Sequence, residues 1–452
     1  GTTPGSPAAR PLRRVATGWA GAWLLVSGGA WAQVPPSPAA VPEVDDPQSS
    51  TEQGQTSLGE SFEIEDDRRE QRRKAFRDTR FDVQGRTFLL DRDKYDDTES
   101  YAWAMGGSAG LKTGYLRERF AIGLTGYTSQ PIDAPDDKDG TLLLAPGQEG
   151  YSVLGEAYVQ VRLSDGININ AGRKGFDTPF INRNDSRMTP KTFEAIALQG
   201  VGGDKETGEW RFGLGYFDTI KERNSEDFVS MAEDAGAPDG VERGVYAGGA
   251  NYSRGPLSLG AINYYSDDII NIFYTEASYR FALAEKREFR LAAQFSDQKA
   301  VGDNLLRGAD FSADQLGIKA ELALGPALLT AAYTTTGDGT NMQNPWSGYP
   351  GYTSVQVEDF NRAGEDAWLL RAGYRFPQVP GLSVHGLWVS GSDPDAPTDF
   401  SRDEYNLNLQ WSPESGALKG LMFRLRYSHV EQDNGAELDD FRLMIFYDPP
   451  KL

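Results

Sequence analysis

From about residue 79 to the end, the chain alternates apolar and polar residues in short runs. In the last such run Phe441, Leu443, Ile445 and Tyr447 share one face, and Arg442 and Met444 the other. One run earlier, Leu421, Phe423, Leu425 and Tyr427 oppose Met422, Arg424, Arg426 and Ser428. Tyr405, Leu407, Leu409 and Trp411 oppose Asn406, Asn408 and Gln410 in the same way. A sustained period of two puts successive side chains on opposite sheet faces, so these runs predict half-buried strands. Eighteen such segments can be marked between 79–90 and 437–447.

The connections divide these strands into an ordered set. Ser164-Asp165, Arg254-Gly255-Pro256, Gly325-Pro326 and Pro377 to Pro380 are tight turns. Long polar segments near 129–150, 174–191, 218–244, 297–312, 336–365 and 391–402 lie between them. Short turns on one rim and long loops on the other, with an even strand number, predict a transmembrane antiparallel β-barrel. Its long loops would be extracellular and both termini periplasmic. Tyr115, Tyr127, Tyr216, Phe217, Tyr252, Tyr264, Tyr265, Phe281, Tyr374, Phe376, Trp411, Tyr427 and Tyr447 stand near strand ends, as interfacial girdles require.

The first 78 residues have a different texture. Arg10, Arg13 and Arg14 precede an apolar stretch from Val15 to Trp31, and Ala30-Trp31-Ala32 is a small-x-small cleavage signal, so 1–32 reads as a signal peptide. Residues 33–78 are rich in Pro, Gln, Ser and acid, with a charge run from Glu65 to Lys74, and read as a flexible periplasmic extension. The barrel occupies 79–452. Beyond residue 32 no apolar run approaches the ~18 residues of a spanning helix. Net charge is −21 over 452 residues, with no cysteine and two histidines. The absence of cysteine excludes disulfides and thiolate chemistry. No nucleic-acid partner and no cofactor are expected. The expected partners are outer-membrane lipid, including lipopolysaccharide, and small solutes.

In a barrel the polar strand face lines the lumen. That places Arg424, Arg426, Arg442, Arg371 and Arg375 inward, with Arg86 and Arg80 on the first strand, which must pair with the last. Guanidinium groups hold their charge and grip carboxylates bidentately, so a column of them can pass anionic groups along. The competing role is wall support through salt bridges to inward acids. An eighteen-strand barrel is too wide for side chains alone to fill, so a loop must fold inward. The Pro-bounded 174–191 loop is the first candidate and 336–365 the second. His385 and His429 have no serine or carboxylate at a diagnostic spacing, so an enzyme is not expected. Acidic clusters at 133–139 and 393–399 are candidate Ca²⁺ loops, though solvated acidic loops are commoner.

Several stretches resemble the OprD-type family of substrate-specific outer-membrane porins. They are Asn184 to Phe193 (NDSRMTPKTF), Asp359 to Trp368 (DFNRAGEDAW), Pro380-Gly381-Leu382-Ser383, Phe423 to Tyr427 (FRLRY) with Asp440 to Leu443 (DFRL), and Leu143 to Gly147 (LLAPG). The resemblance implies a monomeric eighteen-stranded barrel with a narrow eyelet formed by inward loops. It also implies a lumenal basic ladder guiding carboxylate-bearing substrates such as amino acids and organic acids. Arg424, Arg426 and Arg442 match ladder positions; Arg86, Arg371 and Arg375 are added from periodicity. Asp185, Ser186 and Arg187 fall in the constriction loop, and Asp359 and Tyr352 are candidates for an opposing acidic and aromatic pole. The 33–78 extension and the ending Asp448-Pro449-Pro450-Lys451-Leu452 depart from the family pattern. A general or sugar-type diffusion pore, an outer-membrane barrel enzyme and a non-conducting structural barrel remain the alternatives.

Overall fold

The computed structural model describes residues 78–449; the expected signal peptide and nearly all of the acidic extension lie outside them. The chain runs β1 (Arg80–Asp93), β2 (Glu99–Lys112), β3 (Phe120–Asp133), β4 (Tyr151–Ser164), β5 (Ile167–Lys174), β6 (Thr192–Asp204) and β7 (Gly208–Lys221). A two-residue β8 (Val229–Ser230) and a single-turn α1 (Met231–Asp234) follow. Then come β9 (Val245–Arg254), β10 (Leu257–Ser266), β11 (Ile270–Ala284), β12 (Arg287–Lys299), β13 (Ser312–Leu324) and β14 (Ala327–Thr336). The last are β15 (Asp366–Arg375), β16 (Leu382–Ser392), β17 (Arg402–Trp411), β18 (Leu421–Gln432) and β19 (Glu437–Tyr447).

Every sequential pair is antiparallel, β7 pairs with β9, and β1 closes on β19 from Gly85↔Tyr447 to Asp93↔Asp439. Eighteen strands therefore form a closed wall with no free edge, and β8 is an extra short pairing on β7. The expected eighteen wall strands are present, several reaching further toward the extracellular rim than periodicity suggested. Polar residues such as Asp91, Arg92 and Asp93 end the alternation before they end the pairing. Three extracellular connections (94–98, 267–269 and 433–436) are tight, so the long loops stand over only part of the rim.

Alternation of burial follows the period-two pattern. On β18, Arg424, Arg426 and Ser428 are buried inward while Tyr427 is exposed outward. Outward aromatics form two bands. Near the periplasmic rim, Trp210–Tyr252, Tyr279–Phe281 and Trp411–Phe423 pair with ring centroids 4.8, 4.6 and 5.7 Å apart. Near the extracellular rim, girdle tyrosines donate to carboxylates beside them: Tyr101 to Asp133 (3.2 Å), Tyr216 to Asp218 (3.2 Å), Tyr265 to Asp267 (3.1 Å), Tyr333 to Asp366 (2.8 Å) and Tyr427 to Asp439 (2.5 Å). Phe217 and Tyr264 do not join the girdles. Both point inward and are buried, because the lumen holds an apolar core for them to pack on. Tyr127 also faces the lumen, its ring against Gly155 of β4.

That core is the fold's departure from an open pore. Phe180 and Ile181 of the 175–191 loop, and Trp346 and Tyr349 of the 337–365 loop, are fully or almost fully buried inside the barrel. They pack against the inward faces of Phe193, Ile262, Tyr264, Ile272 and Tyr274. Phe180 meets the rings of Tyr264, Tyr274 and Tyr349 edge-on at 5.9 to 6.2 Å. Both candidate constriction loops are therefore folded into the lumen. The wall makes room for the second one at Gly391, an inward position on β16. A Cβ there would lie 2.4 Å from Glu365 Oε1 and 2.6 Å from Phe360 Cδ1.

Candidate functional site: a charged aperture between two inward loops

The 175–191 loop is held by its own turn chemistry before it touches the wall. Thr178 Oγ1 donates to the Ile181 carbonyl (2.8 Å) and accepts from the Tyr264 hydroxyl (2.8 Å). Asp177 grips Arg183 at the loop's neck. This leaves Asp185, Ser186 and Arg187 facing the far wall. Asp185 accepts both amino groups of Arg86 on β1, at 2.6 and 2.7 Å, as a fork. Burial opposes its ionisation, but the Arg86 charge and hydrogen bonds hold its carboxyl below the ordinary range. Arg86 Nη1 also reaches the Arg187 carbonyl (3.1 Å), so one guanidinium anchors the loop from β4–β6 territory to the closing strand.

Arg187 itself is 7 % exposed. Its Nε donates to the Thr141 carbonyl (2.8 Å) and its Nη1 to the Ser186 carbonyl (2.9 Å). Burial, then the like charges of Arg442, Arg223 and Arg92, push its pKa down. A guanidinium starts so high that it stays a cation.

Arg442 is almost fully buried and donates through Nε to Asp440 (2.6 Å), which also accepts from Arg92 Nε (2.7 Å). Arg426 stands opposite Arg442 in the β18–β19 register, and Arg424 opposite Met444 one inward row below. Arg424 Nε donates to Gln410 (2.8 Å). Arg86 lies opposite Phe446, lower again, its guanidinium 4.7 Å from that ring's centroid. Inward rows along a strand are ~6.7 Å apart, twice the rise per residue. Arg92, Arg442 with Arg426, Arg424 and Arg86 thus step down three adjacent strands toward the periplasm.

Arg371 and Arg375 face inward on β15 but belong to a separate group. Arg375 shares a row with Arg424 through Ser383 and Gln410, three strands or ~14 Å away. Arg371 lies in register with Thr330 and Glu321, and Glu321 also pairs with Arg290 at 3.6 Å. The structure places Arg80 at the rim below the β1–β19 seam.

The second loop crosses to the same aperture. Gln356 Nε2 donates to Asp440 (2.7 Å), and its carbonyl accepts from Arg442 Nη2 (3.1 Å). The amides of Val357 and Glu358 donate to the fully buried Glu404 at 3.0 and 2.8 Å. Glu358 pairs with Arg402 and accepts from the Tyr95 hydroxyl (2.7 Å). Asp359 accepts from Ser354 (2.6 Å). Burial first, with Glu358 adding, pushes its carboxyl up to about 6 against the fields of Arg402 and Arg223. Tyr352 is not beside Asp359. Its ring lies over Gly317 on β13, with Lys319 Nζ 4.6 Å from its centroid, and its buried hydroxyl has no hydrogen-bond partner.

Two aperture residues escaped the sequence reading. Arg92 has the parity of Arg86 but sits in Asp91-Arg92-Asp93-Lys94, which reads as a turn. Arg223 comes from the 222–244 loop, where no periodicity assigns a direction. It donates through Nη1 to Ser186 Oγ (2.7 Å), and its carbonyl accepts from the Tyr151 hydroxyl (2.6 Å). Among the described residues no group of His, Cys, Asp or Glu is arranged to hold a metal ion, and neither acidic loop forms one.

The Asp359 carboxyl, pushed up to about 6, predicts a pH response. Taking the bath from pH 7.5 to 5 protonates Asp359, so the anion-over-cation permeability ratio should rise. Asp359→Asn should start from a higher ratio at pH 7.5 and show a smaller rise at pH 5. Reversal potentials in a salt gradient check this, and an unaltered pH response in the variant would remove Asp359 from the aperture's field.

A closed eighteen-stranded wall with outward aromatic bands and a lumen narrowed by inward loops defines an outer-membrane porin. The chain belongs to the OprD family of outer membrane porins, whose family model matches residues 74–450. Its place is the outer membrane of a Gram-negative bacterium, and the family's members are channels rather than enzymes. Among solved structures it is similar to Pseudomonas aeruginosa OccK9 (OpdG), at TM-score 0.75 and 22 % identity over 83 % of this chain and 99 % of that one. P. aeruginosa OpdK with vanillate gives TM-score 0.72 and 18 % identity over 83 % and 99 %. Acinetobacter baumannii OccAB3 gives 0.74 and 18 % over 82 % and 99 %. No curated protein matches the chain by sequence.

Proposed function

We propose that this porin admits small carboxylate-bearing solutes, such as amino acids and organic acids, by passive diffusion along the arginine steps of β18, β19 and β1. The observation that carries the reading is the descent of guanidinium groups (Arg92, Arg442, Arg426, Arg424, Arg86) along one wall, with Asp359 on the loop that crosses to them. A solute carboxylate exchanging between successive guanidiniums meets a charge-assisted donor at each row. Each step is ~6.7 Å, so a new partner comes within reach as the old one is released. The similarity to OpdK, solved with the carboxylate vanillate, supports the same class. The fold gives no reason for a catalytic cycle or cofactor in this transport.

Liposome uptake tests the proposal. Arg424→Ala with Arg426→Ala removes two donors whose charge-assisted bonds are worth ~1.5 kcal/mol or more each, so carboxylate uptake should fall roughly tenfold or more. Uptake of a neutral solute of equal size should change far less, and folded barrel yield should hold. Equal carboxylate uptake in the folded double variant would overturn the ladder's role. Sugars passing as fast as carboxylates in the unaltered protein would make it a general diffusion pore.

A further inference from the structure

The aperture's acids do not match its arginines residue for residue. Asp185 is taken by Arg86, and Asp440 is shared between Arg92 and Arg442. The guanidinium groups of Arg187 and Arg223 bond only to neutral oxygens. Arg187 uses the carbonyls of Thr141 and Ser186, and Arg223 uses Ser186 Oγ (2.7 Å) and Asn184 Oδ1 (3.4 Å). No carboxylate among the described residues lies within ion-pair distance of either group. Glu222, next in the chain to Arg223, is turned to Lys191 at 2.5 Å. Arg223 Nε is buried with no hydrogen-bond partner. Both guanidiniums converge on one residue, Ser186, at the lumenal tip of the constriction loop.

A buried cation with only dipoles for company is costly, and a protein normally supplies a counter-charge. Here two adjacent ones have no carboxylate in contact: Glu222 and Asp234 act on Arg223, and Asp440 on Arg187, only from beyond ion-pair distance, although the chain carries a large excess of acid overall. We infer that Arg223, reaching in from the 222–244 loop, is a specificity-determining residue which with Arg187 forms a second anion site beside the ladder. The aperture then favours solutes bearing two anionic groups over monoanions of equal length. This rests on the carboxylate reading and narrows it: one carboxylate engages the Arg442–Arg426 step, the other the Arg187–Arg223 pair. The favoured class is short dicarboxylates.

The test uses purified full-length chain in planar bilayers at pH 7.5, with succinate, butyrate and 1,4-butanediol as four-carbon probes of chloride current. In the unaltered channel succinate should block at about tenfold lower concentration than butyrate, the factor expected from one added charge-assisted contact. Arg223→Gln should lower the succinate-to-butyrate ratio several-fold, mainly through succinate, and Arg223→Lys should restore part of it. Equal block by succinate and butyrate in the unaltered channel overturns the second site while leaving the carboxylate reading intact. A ratio unchanged in Arg223→Gln overturns the assignment to Arg223. Block by butanediol as strong as by butyrate overturns the carboxylate reading itself. Should Arg223→Gln fail to fold, the reversal potential of the unaltered channel in sulfate against chloride decides. A sulfate preference supports the site, and a chloride preference overturns it.

Discussion

Asp440→Asn is expected to lower the melting temperature of the barrel and make the open-channel current noisy. Asp440 is fully buried and neutralises two guanidiniums at once, Arg92 at 2.6 Å and Arg442 at 2.6 Å, while accepting from Gln356. An amide keeps the shape and loses the charge. Arg92, Arg442 and the nearby Arg187 are then left facing one another in a low-dielectric wall. Breaking a buried ion pair by removing one partner costs about 3–5 kcal/mol. The 337–365 loop feels it directly, since both its Gln356 bonds run through this pair. Thermal unfolding followed by circular dichroism and the open-state current variance measure the two effects. An unchanged melting temperature would mean that lumen water or ions already neutralise the pair.

Trp346→Ala should convert a narrow channel into a wide one. Trp346 is fully buried at the meeting point of three inward segments, and its indole donates to the Met231 carbonyl in α1 at 2.8 Å. Truncating a core tryptophan costs about 3–5 kcal/mol, while the Met231 carbonyl keeps the Ala235 amide as a partner at 3.1 Å. The barrel wall does not depend on Trp346, because its strands are paired all the way round, so the loss falls on the plug. Single-channel conductance should rise several-fold and discrimination among solutes should decline, with wall stability preserved. Conductance equal to that of the unaltered channel would show that the other loop contacts suffice to hold the constriction.

The wall was legible because membrane and water impose opposite demands on alternate residues. Tyr405, Leu407 and Leu409 against Asn406, Asn408 and Gln410 leave only one reading. The directions of Arg86, Arg424, Arg426 and Arg442 followed from the same parity. What parity cannot supply is distance around the ring. Arg371 and Arg375 point inward as expected, yet three strands separate them from the step containing Arg424. Loop residues carry no parity at all. Arg223, at the centre of the aperture, has no sequence signal beyond its charge. Asp359 and Tyr352 are seven residues apart on one loop and end on different walls, because the loop turns at Ser354 and Val355 between them. Phe217 and Tyr264 looked like girdle residues because strand ends favour aromatics; only the inward loops reveal them as packing for a plug.

The phenol-to-carboxylate pairs on the outer rim bear on where this wall can sit. Each ties a ring that rests in hydrocarbon to an ion that must stay in water, within a few ångströms of the same height. A bilayer thicker by a single strand residue would submerge five such ions, whereas a thinner one would expose apolar wall below them. The porin is therefore matched to one leaflet depth, and lipid chain length should govern how readily it inserts.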